Sequence, residues 1–235
     1  MLFRSGHTCF RLDAGGRCVV VDFGASAIVS WNRMGLDLDA VDAIVISHLH
    51  GDHFGGLPFF LLQCQFELHR KRPLTIYGPP GARARVEAAV DIFYPGVAAR
   101  GWGFDWRVVE VEPGARTDIG GFELATVAVV HQSGAPSTAV RLTHAGKTFV
   151  YSGDTEWTPA LETISAGADF FIVECYSAER PVPGHISWPT LSANLGRLKA
   201  RRIALTHMGV TALERAREYA AAGLVILDDG QVIEI

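Results

Sequence analysis

A chain of 235 residues, 49% hydrophobic and 20% charged, is long enough to bury a sizeable core and is expected to form one α/β domain over residues 1–235. Its 21 basic against 25 acidic residues argue against a general polyanion binder, and no apolar run reaches the roughly 18 residues a bilayer span needs. The N-terminus lacks a signal-peptide pattern, so a cytoplasmic protein is expected, and Cys9, Cys18, Cys64 and Cys175 form no CxxC pair, which reads as reduced, packed thiols.

The first elements are short strands, Thr8 to Leu12 and Arg17 to Phe23, around the turn signal Gly15-Gly16. Ala43 to Ser47 is continuously apolar up to its serine, as suits a strand covered on both faces. Leu57 to Leu68 predicts a buried helix with Pro58 in its first turn. A strand at Leu74 to Tyr77 is stopped by Gly78-Pro79-Pro80-Gly81, and Ala82 to Phe93 predicts a helix. Arg70-Lys71-Arg72 and Lys199 through Arg202 read as solvated basic surface.

Strands are expected at Trp106 to Val111 and Phe122 to Val130, then a hairpin of Thr138 to Leu142 and Thr148 to Tyr151 around Ala145-Gly146. Strand–helix alternation follows: a helix at Pro159 to Ala166, a strand at Phe170 to Glu174, a helix at Pro189 to Lys199 and a strand at Ile203 to Thr206. The last helix is expected at Thr211 to Ala222, with Thr211 as N-cap and Gly223 past its end. Strands at Leu224 to Leu227 and Val232 to Ile235 would close the chain.

Four strong metal donors, His48, His50, Asp52 and His53, stand within six residues directly after the apolar run at Ala43 to Ile46. Further donors recur where later strands end: His131, Asp154 and His207. Functional groups of open α/β sheets gather where strands give way to loops. Seven donors would fill two metal positions if one carboxylate bridges them, and imidazole with carboxylate suits zinc, manganese or iron. Other histidines, His7, His69 and His144, have no partner spacing and read as surface or hydrogen-bonded residues. Asp22 is balanced between a turn residue and a group behind the metal ligands. Phe54, Trp157, Tyr176 and Trp188 could line a cleft or pack in the core, and Gly55-Gly56 reads as close backbone packing.

The run His48-Leu49-His50-Gly51-Asp52-His53, with His131, Ser152-Gly153-Asp154-Thr155 and His207, resembles the metallo-β-lactamase superfamily over essentially the whole chain. The resemblance implies a four-layer αβ/βα sandwich and two divalent metal ions, most often zinc. By position, His48, His50 and His131 would hold one ion, Asp52, His53 and His207 the other, and Asp154 would bridge. Phe54-Gly55-Gly56-Leu57-Pro58, Tyr77-Gly78-Pro79-Pro80-Gly81 and Val173-Glu174-Cys175-Tyr176 with Gly184-His185-Ile186-Ser187 resemble the ribonuclease Z-like phosphodiesterases. In that group a histidine some twenty residues before the last ligand protonates the leaving oxygen and a glutamate holds it. His185, twenty-two residues before His207, matches the first role, and Glu174 the second.

The implied activity is metal-dependent hydrolysis of a small or nucleotide-like phosphodiester. A metal-bridging hydroxide would attack, with Asp52 orienting it. Three departures from the group bear on substrate. The segment at residues 6–24 lacks the family's preceding strand, so that edge is trimmed or the start lies upstream. No Gly/Lys/Pro-rich insertion offers a tRNA-gripping arm, and the interval between Thr143 and Val150 has no room for a basic loop. RNA is therefore a candidate but not favoured, since backbone binding needs clustered cations. tRNA 3′-processing and hydrolysis of lactones, carboxylic esters or arylsulfates are the alternatives, a non-catalytic metal-loaded module is a third, and a homodimer is plausible from the resemblance.

Overall fold

The computed structural model describes residues 6–235; residues 1–5 of the expected domain lie outside the described residues. The chain divides into two units, residues 6–111 and residues 112–235, each with its own sheet.

In the 6–111 unit the sheet order is β1-β2-β3-β4-β5, with β1 (Phe10–Ala14), β2 (Arg17–Val21), β3 (Ala43–Val45), β4 (Leu74–Gly78) and β5 (Trp106–Glu110). The β1–β2 pair is an antiparallel hairpin, turning on Gly15 and Gly16 at positive φ, and the other pairs are parallel. Parallel strands put all their C-terminal ends at one edge, so the segments leaving β2, β3 and β4 share a common rim. Val19, Val20, Ile44, Ile46 and Ile76 are essentially fully buried. Each such side chain stabilises the fold by about 1.5–3 kcal/mol relative to exposure.

The helices of this unit are α1 (Ala27–Arg33), α2 (Gly51–Phe54), α3 (Leu57–Phe66) and α4 (Ala82–Phe93). The expected helix at Leu57 to Leu68 is present with Pro58 in its first turn, and the helix at Ala82 to Phe93 has the expected bounds. Helix α1 is not foreshadowed by its residues. Ile28, Val29 and Ser30 are modest helix formers, and only Ala27 and Trp31, one turn apart, are buried. Tertiary packing explains it: Trp31 lies 5.8 Å from the Phe23 ring, which meets Phe60 edge-on at 5.2 Å.

Arg70 corrects the reading of its basic run as solvated surface. It is 2% exposed, and its guanidinium donates to the carbonyls of Leu38, Asp39, Val41, Arg72 and Pro73. Burial depresses its pKa, and the five donors close the loop before β3 against the one before β4.

In the 112–235 unit the order is β12-β11-β10-β9-β8-β7-β6. These are β6 (Arg116–Asp118), β7 (Glu123–Ala128), β8 (Thr138–His144), β9 (Lys147–Tyr151), β10 (Phe170–Glu174), β11 (Ile203–Thr206) and β12 (Val225–Ile226). Strands β9 to β12 are parallel, and β6 to β9 alternate. Two antiparallel steps return β7 to the direction of β9. The ends of β7, β9, β10 and β11 therefore share one edge.

The helices here are α5 (Ala160–Ser165), α6 (Trp188–Asn194), α7 (Val210–Glu214) and α8 (Ala216–Ala221). Val150, Phe171, Val173, Leu161, Leu191, Leu205 and Tyr219 form the core of this unit. Trp188 stacks on Tyr219 at 4.1 Å and Trp157 packs against the same core, so both are packing residues. Three features differ from expectation. Thr211 lies inside α7, its hydroxyl accepting from the Ala178 amide, while Gly209 is the cap residue, where a Cβ would lie 2.5 Å from the Tyr176 carbonyl. The chain breaks helical geometry at Arg215, giving two short helices instead of one. Val232 to Ile235 forms no strand, and Val232 is 91% exposed.

Candidate metal centre

In the 6–111 unit the donor run begins just beyond the buried end of β3, and α2 starts inside it. The one-turn helix folds His53 back beside His48, whose rings lie 4.0 Å apart, with His50 at 5.1 Å from His48. Asp52 Oδ2 is 3.6 Å from His53 Nε2. Glycines permit this fold: a Cβ on Gly56 would lie 2.4 Å from the Gly24 carbonyl, and one on Gly55 equally close to that of Gly51. The close packing expected of Gly55-Gly56 is present.

Asp22 organises the loop. It is fully buried, takes a positive φ of 58°, and accepts hydrogen bonds from Ser47 N (2.7 Å), Ser47 Oγ (2.7 Å) and His53 Nδ1 (2.6 Å). Burial pushes its carboxyl above the ordinary value, opposed by His53 and by the Ser47 bonds. It is a buried support behind the donor run, not merely a turn residue. The hydrogen-bond directions also fix tautomers. His53 donates from Nδ1 to the carboxylate. Ser47 spends its one proton on Asp22, so its oxygen accepts from His48 Nδ1 at 3.1 Å. Both imidazoles thus carry their proton on Nδ1 and present Nε2 as a metal donor.

The 112–235 unit assembles its donors from separate strands. His131 follows β7, Asp154 follows β9, Glu174 ends β10 and His207 follows β11 at a φ of 51°. Asp154 Oδ2 is 3.4 Å from His207 Nε2, 3.9 Å from His131 Nε2 and 4.0 Å from His185 Nδ1. Donor atoms of His131, Asp154 and His185 lie within 4.8 Å of one another, as do those of Glu174, His185 and His207. His131 donates from Nδ1 to the Gly184 carbonyl at 2.8 Å, so it too presents Nε2.

Glu174 is fully buried, not a solvated strand-end carboxylate. Its oxygens lie 3.1 and 3.2 Å from His185 Nδ1, and it also accepts from the Thr155 amide. Ser152 Oγ accepts from the Glu174 amide, which locks the Ser-Gly-Asp-Thr turn to β10. His185 is held on three sides besides Glu174. Tyr176 stacks on it at 4.7 Å and 22°, His207 at 5.4 Å and 17°, and His131 meets it edge-on at 4.9 Å.

Two of the three remaining histidines have structural partners. His7 Nδ1 accepts from the Ser26 amide, whose hydroxyl accepts from the His7 amide, and His144 Nδ1 contacts the Gly121 carbonyl. His69 is exposed. Ser133 and Ser137 are buried and bonded to each other at 2.9 Å, with Ser137 donating to the His131 carbonyl. Phe54 is buried. Cys18, Cys64 and Cys175 are buried, and burial pushes each thiol up to about 12; Cys9 is half-buried.

Two roles are invisible in the residue pattern. Ser47 stands in the donor run, yet nothing local marks it as the residue that sets the His48 tautomer. Gly184 is the acceptor that orients His131, 53 positions away in the chain. A Cβ there would lie 2.9 Å from His131 Nδ1, and its φ of 80° favours glycine. The Pro-Gly-His order is the sole local hint.

Histidine nitrogens with their protons fixed elsewhere, beside buried carboxylates, suit divalent ions of borderline hardness. With the α/β fold they make a candidate site for divalent metal ions. Residues 17–208 match the family described as Beta-lactamase superfamily domain, and the chain belongs to it. A ribonuclease Z of Mycobacterium sp. (strain KMS) is 28% identical over 166 residues, 66% of this chain and 57% of that protein. The chain thus spans little more than half the length of that curated relative. Human tRNase Z, short form, superposes with a TM-score of 0.78 at 22% identity, covering 98% of this chain and 93% of that one. The metallo-β-lactamase fold protein YhfI from Bacillus subtilis gives 0.77 at 19% identity with the same coverage. The fold is therefore the metallo-β-lactamase fold.

Proposed function

We propose that the two units act as one hydrolase domain that cleaves phosphodiesters, with a small or nucleotide-like diester as substrate. The observation that carries this reading is the buried Glu174–His185 contact beside Asp154 and His207. A carboxylic ester or lactone also expels an alkoxide, but from a tetrahedral intermediate whose formation usually limits the rate, so such a pair helps it less. A phosphodiesterase must release an alkoxide, and a positioned acid accelerates that by about 10²–10⁴-fold.

The donor assignment follows the family pattern: His48, His50 and His131 for one metal position, Asp52, His53 and His207 for the other, and Asp154 shared. Divalent ions there, zinc by family habit and manganese or iron by donor chemistry, would lower the pKa of water and offset charge on the phosphoryl oxygens. Asp52 orients the attacking water by accepting its hydrogen bond. His185, protonated on both nitrogens, keeps Nδ1–H on Glu174 and gives its Nε2 proton to the departing oxygen as the P–O bond breaks. Glu174 stabilises the cationic imidazole before transfer and holds the neutral one afterwards.

The test is a metal-replete preparation screened on bis(p-nitrophenyl) phosphate, alkyl diesters, lactones and arylsulfates, with His185→Ala in parallel. Diester turnover that His185→Ala lowers most for alkyl leaving groups supports the reading. Lactone turnover orders of magnitude faster than any diester would replace it.

RNA 3′-end processing is a second reading, favoured by the ribonuclease Z relatives. Between His131 and Asp154 the described chain is a loop and the β8–β9 hairpin turning at Ala145 and Gly146, which favours small substrates. Endonucleolytic cleavage of a precursor tRNA at rates above those on nucleotide diesters would reverse that order. No helix among the described residues is long and apolar enough to cross a membrane, and a cytoplasmic site of action is part of the proposal.

A further inference from the structure

Tyr176 stands one residue past the Cys175 that follows β10, half-buried, with its ring stacked on His185 at 4.7 Å and tilted against His207 at 5.8 Å. Its backbone is fixed at both polar atoms: the amide donates to the Ile186 carbonyl at 2.9 Å, and the carbonyl accepts from the Gly209 amide at 2.8 Å. Gly209 has no Cβ, which is what lets that carbonyl approach. The Tyr176 backbone is therefore tied to both the segment that carries His185 and the segment that carries His207.

A hydrogen bond from Nδ1 to Glu174 restrains His185 at one atom and leaves rotation about that axis open. The Tyr176 face, closest at 4.7 Å and 22°, opposes that turn together with the His207 ring at 5.4 Å and 17°, because turning the imidazole would lose the face contacts. From this geometry we infer that Tyr176 is a positioning residue that fixes the plane of His185 and so aims Nε2 at the leaving oxygen. The inference rests on His185 being the acid of the proposed reaction. The phenolic hydroxyl has no part in it; the aromatic face does.

The experiment compares wild type, Tyr176→Phe, Tyr176→Leu and His185→Ala, all metal-replete, on methyl p-nitrophenyl phosphate and methyl phenyl phosphate. The two substrates differ only in the leaving group's need for a proton. Tyr176→Leu is expected to lose about tenfold in kcat on the phenyl ester and under about threefold on the nitrophenyl ester, a fraction of the acid's whole effect. Tyr176→Phe should retain wild-type selectivity. A second readout needs no turnover: the His185 ring-proton NMR signals, assigned by their absence in His185→Ala, should lie upfield in wild type and Tyr176→Phe and return downfield in Tyr176→Leu. Equal losses on both substrates with Tyr176→Leu, a Phe variant as impaired as Leu, or unmoved NMR signals would overturn the inference. Were His185→Ala itself indifferent to the leaving group, the acid assignment would fail first, and the NMR result would then describe stacking without a catalytic consequence.

Discussion

In the 6–111 unit, four donors leave a single strand end and one buried carboxylate, Asp22, bonds the loop that carries them. In the 112–235 unit, each of His131, Asp154 and His207 leaves a different strand, and their spacing depends on the register of β7, β9 and β11. A contiguous group is set by a turn and a few local hydrogen bonds. A dispersed group is set by the whole sheet beneath it. The first should tolerate changes in the sheet but not in the loop, and the second the reverse. Both use the same device, a buried acidic side chain on the Nδ1 of a histidine: Asp22 on His53, Glu174 on His185.

Removing the carboxylate shared by the proposed metal positions should have the largest effect. Asp154→Ala is expected to lower diester hydrolysis by about 10³-fold or more and to reduce bound metal in elemental analysis, with the far-UV spectrum unchanged. Full metal content with wild-type rates would remove Asp154 from the centre.

The two acidic supports should then part company. Glu174→Gln is expected to keep its metal yet lose roughly 10²-fold on alkyl diesters, sparing nitrophenyl ones. Asp22→Asn should weaken metal retention by about 10–100-fold in a chelator competition, with leaving-group selectivity intact. Identical behaviour of the two variants would break the comparison between a ligand-orienting and an acid-orienting carboxylate.

Arg70→Met tests stability instead of chemistry. Five carbonyls lose their donors, so denaturant unfolding should show a loss of about 3 kcal/mol while activity per bound metal holds. An unchanged unfolding midpoint would mean that water replaces the guanidinium without cost.

The smallest effect concerns the thiols. Cys18, Cys64 and Cys175 sit at about 12 when folded and burial raises the Cys9 thiol as well, so a thiol reagent at pH 8 should modify the four slowly, the half-buried Cys9 first, until denaturant is added. The unfolded thiols ionise near pH ~8.5, before the folded ones. This contribution to stability is therefore complete below that pH and is lost as pH climbs toward 12. Rapid modification of more than one thiol in the native protein would contradict the burial.

The apolar runs and glycine signals made most strands and α4 legible, because periodicity and turn chemistry act over a few residues. Helix α1 was not legible, since Ile28 and Val29 disfavour helix and it is held by distant partners, the Phe23–Trp31 contact and the Asn32–Gln63 amide pair among them. Thr211 does not cap its helix because its hydroxyl is taken by the Ala178 amide, 33 residues away in the chain. Arg70 looked like surface because its acceptors are backbone carbonyls from a distant loop.

The sequence alone determined the donor inventory, the placing of each donor at a strand end, and the fold family, since side-chain chemistry and hydrophobic spacing are local properties. Tertiary structure decided which nitrogen of each histidine carries its proton, that Asp22 and Glu174 are buried supports, and that Tyr176 faces His185. Those outcomes depend on hydrogen-bond partners and ring contacts from residues far apart in the chain, which only strand register brings together.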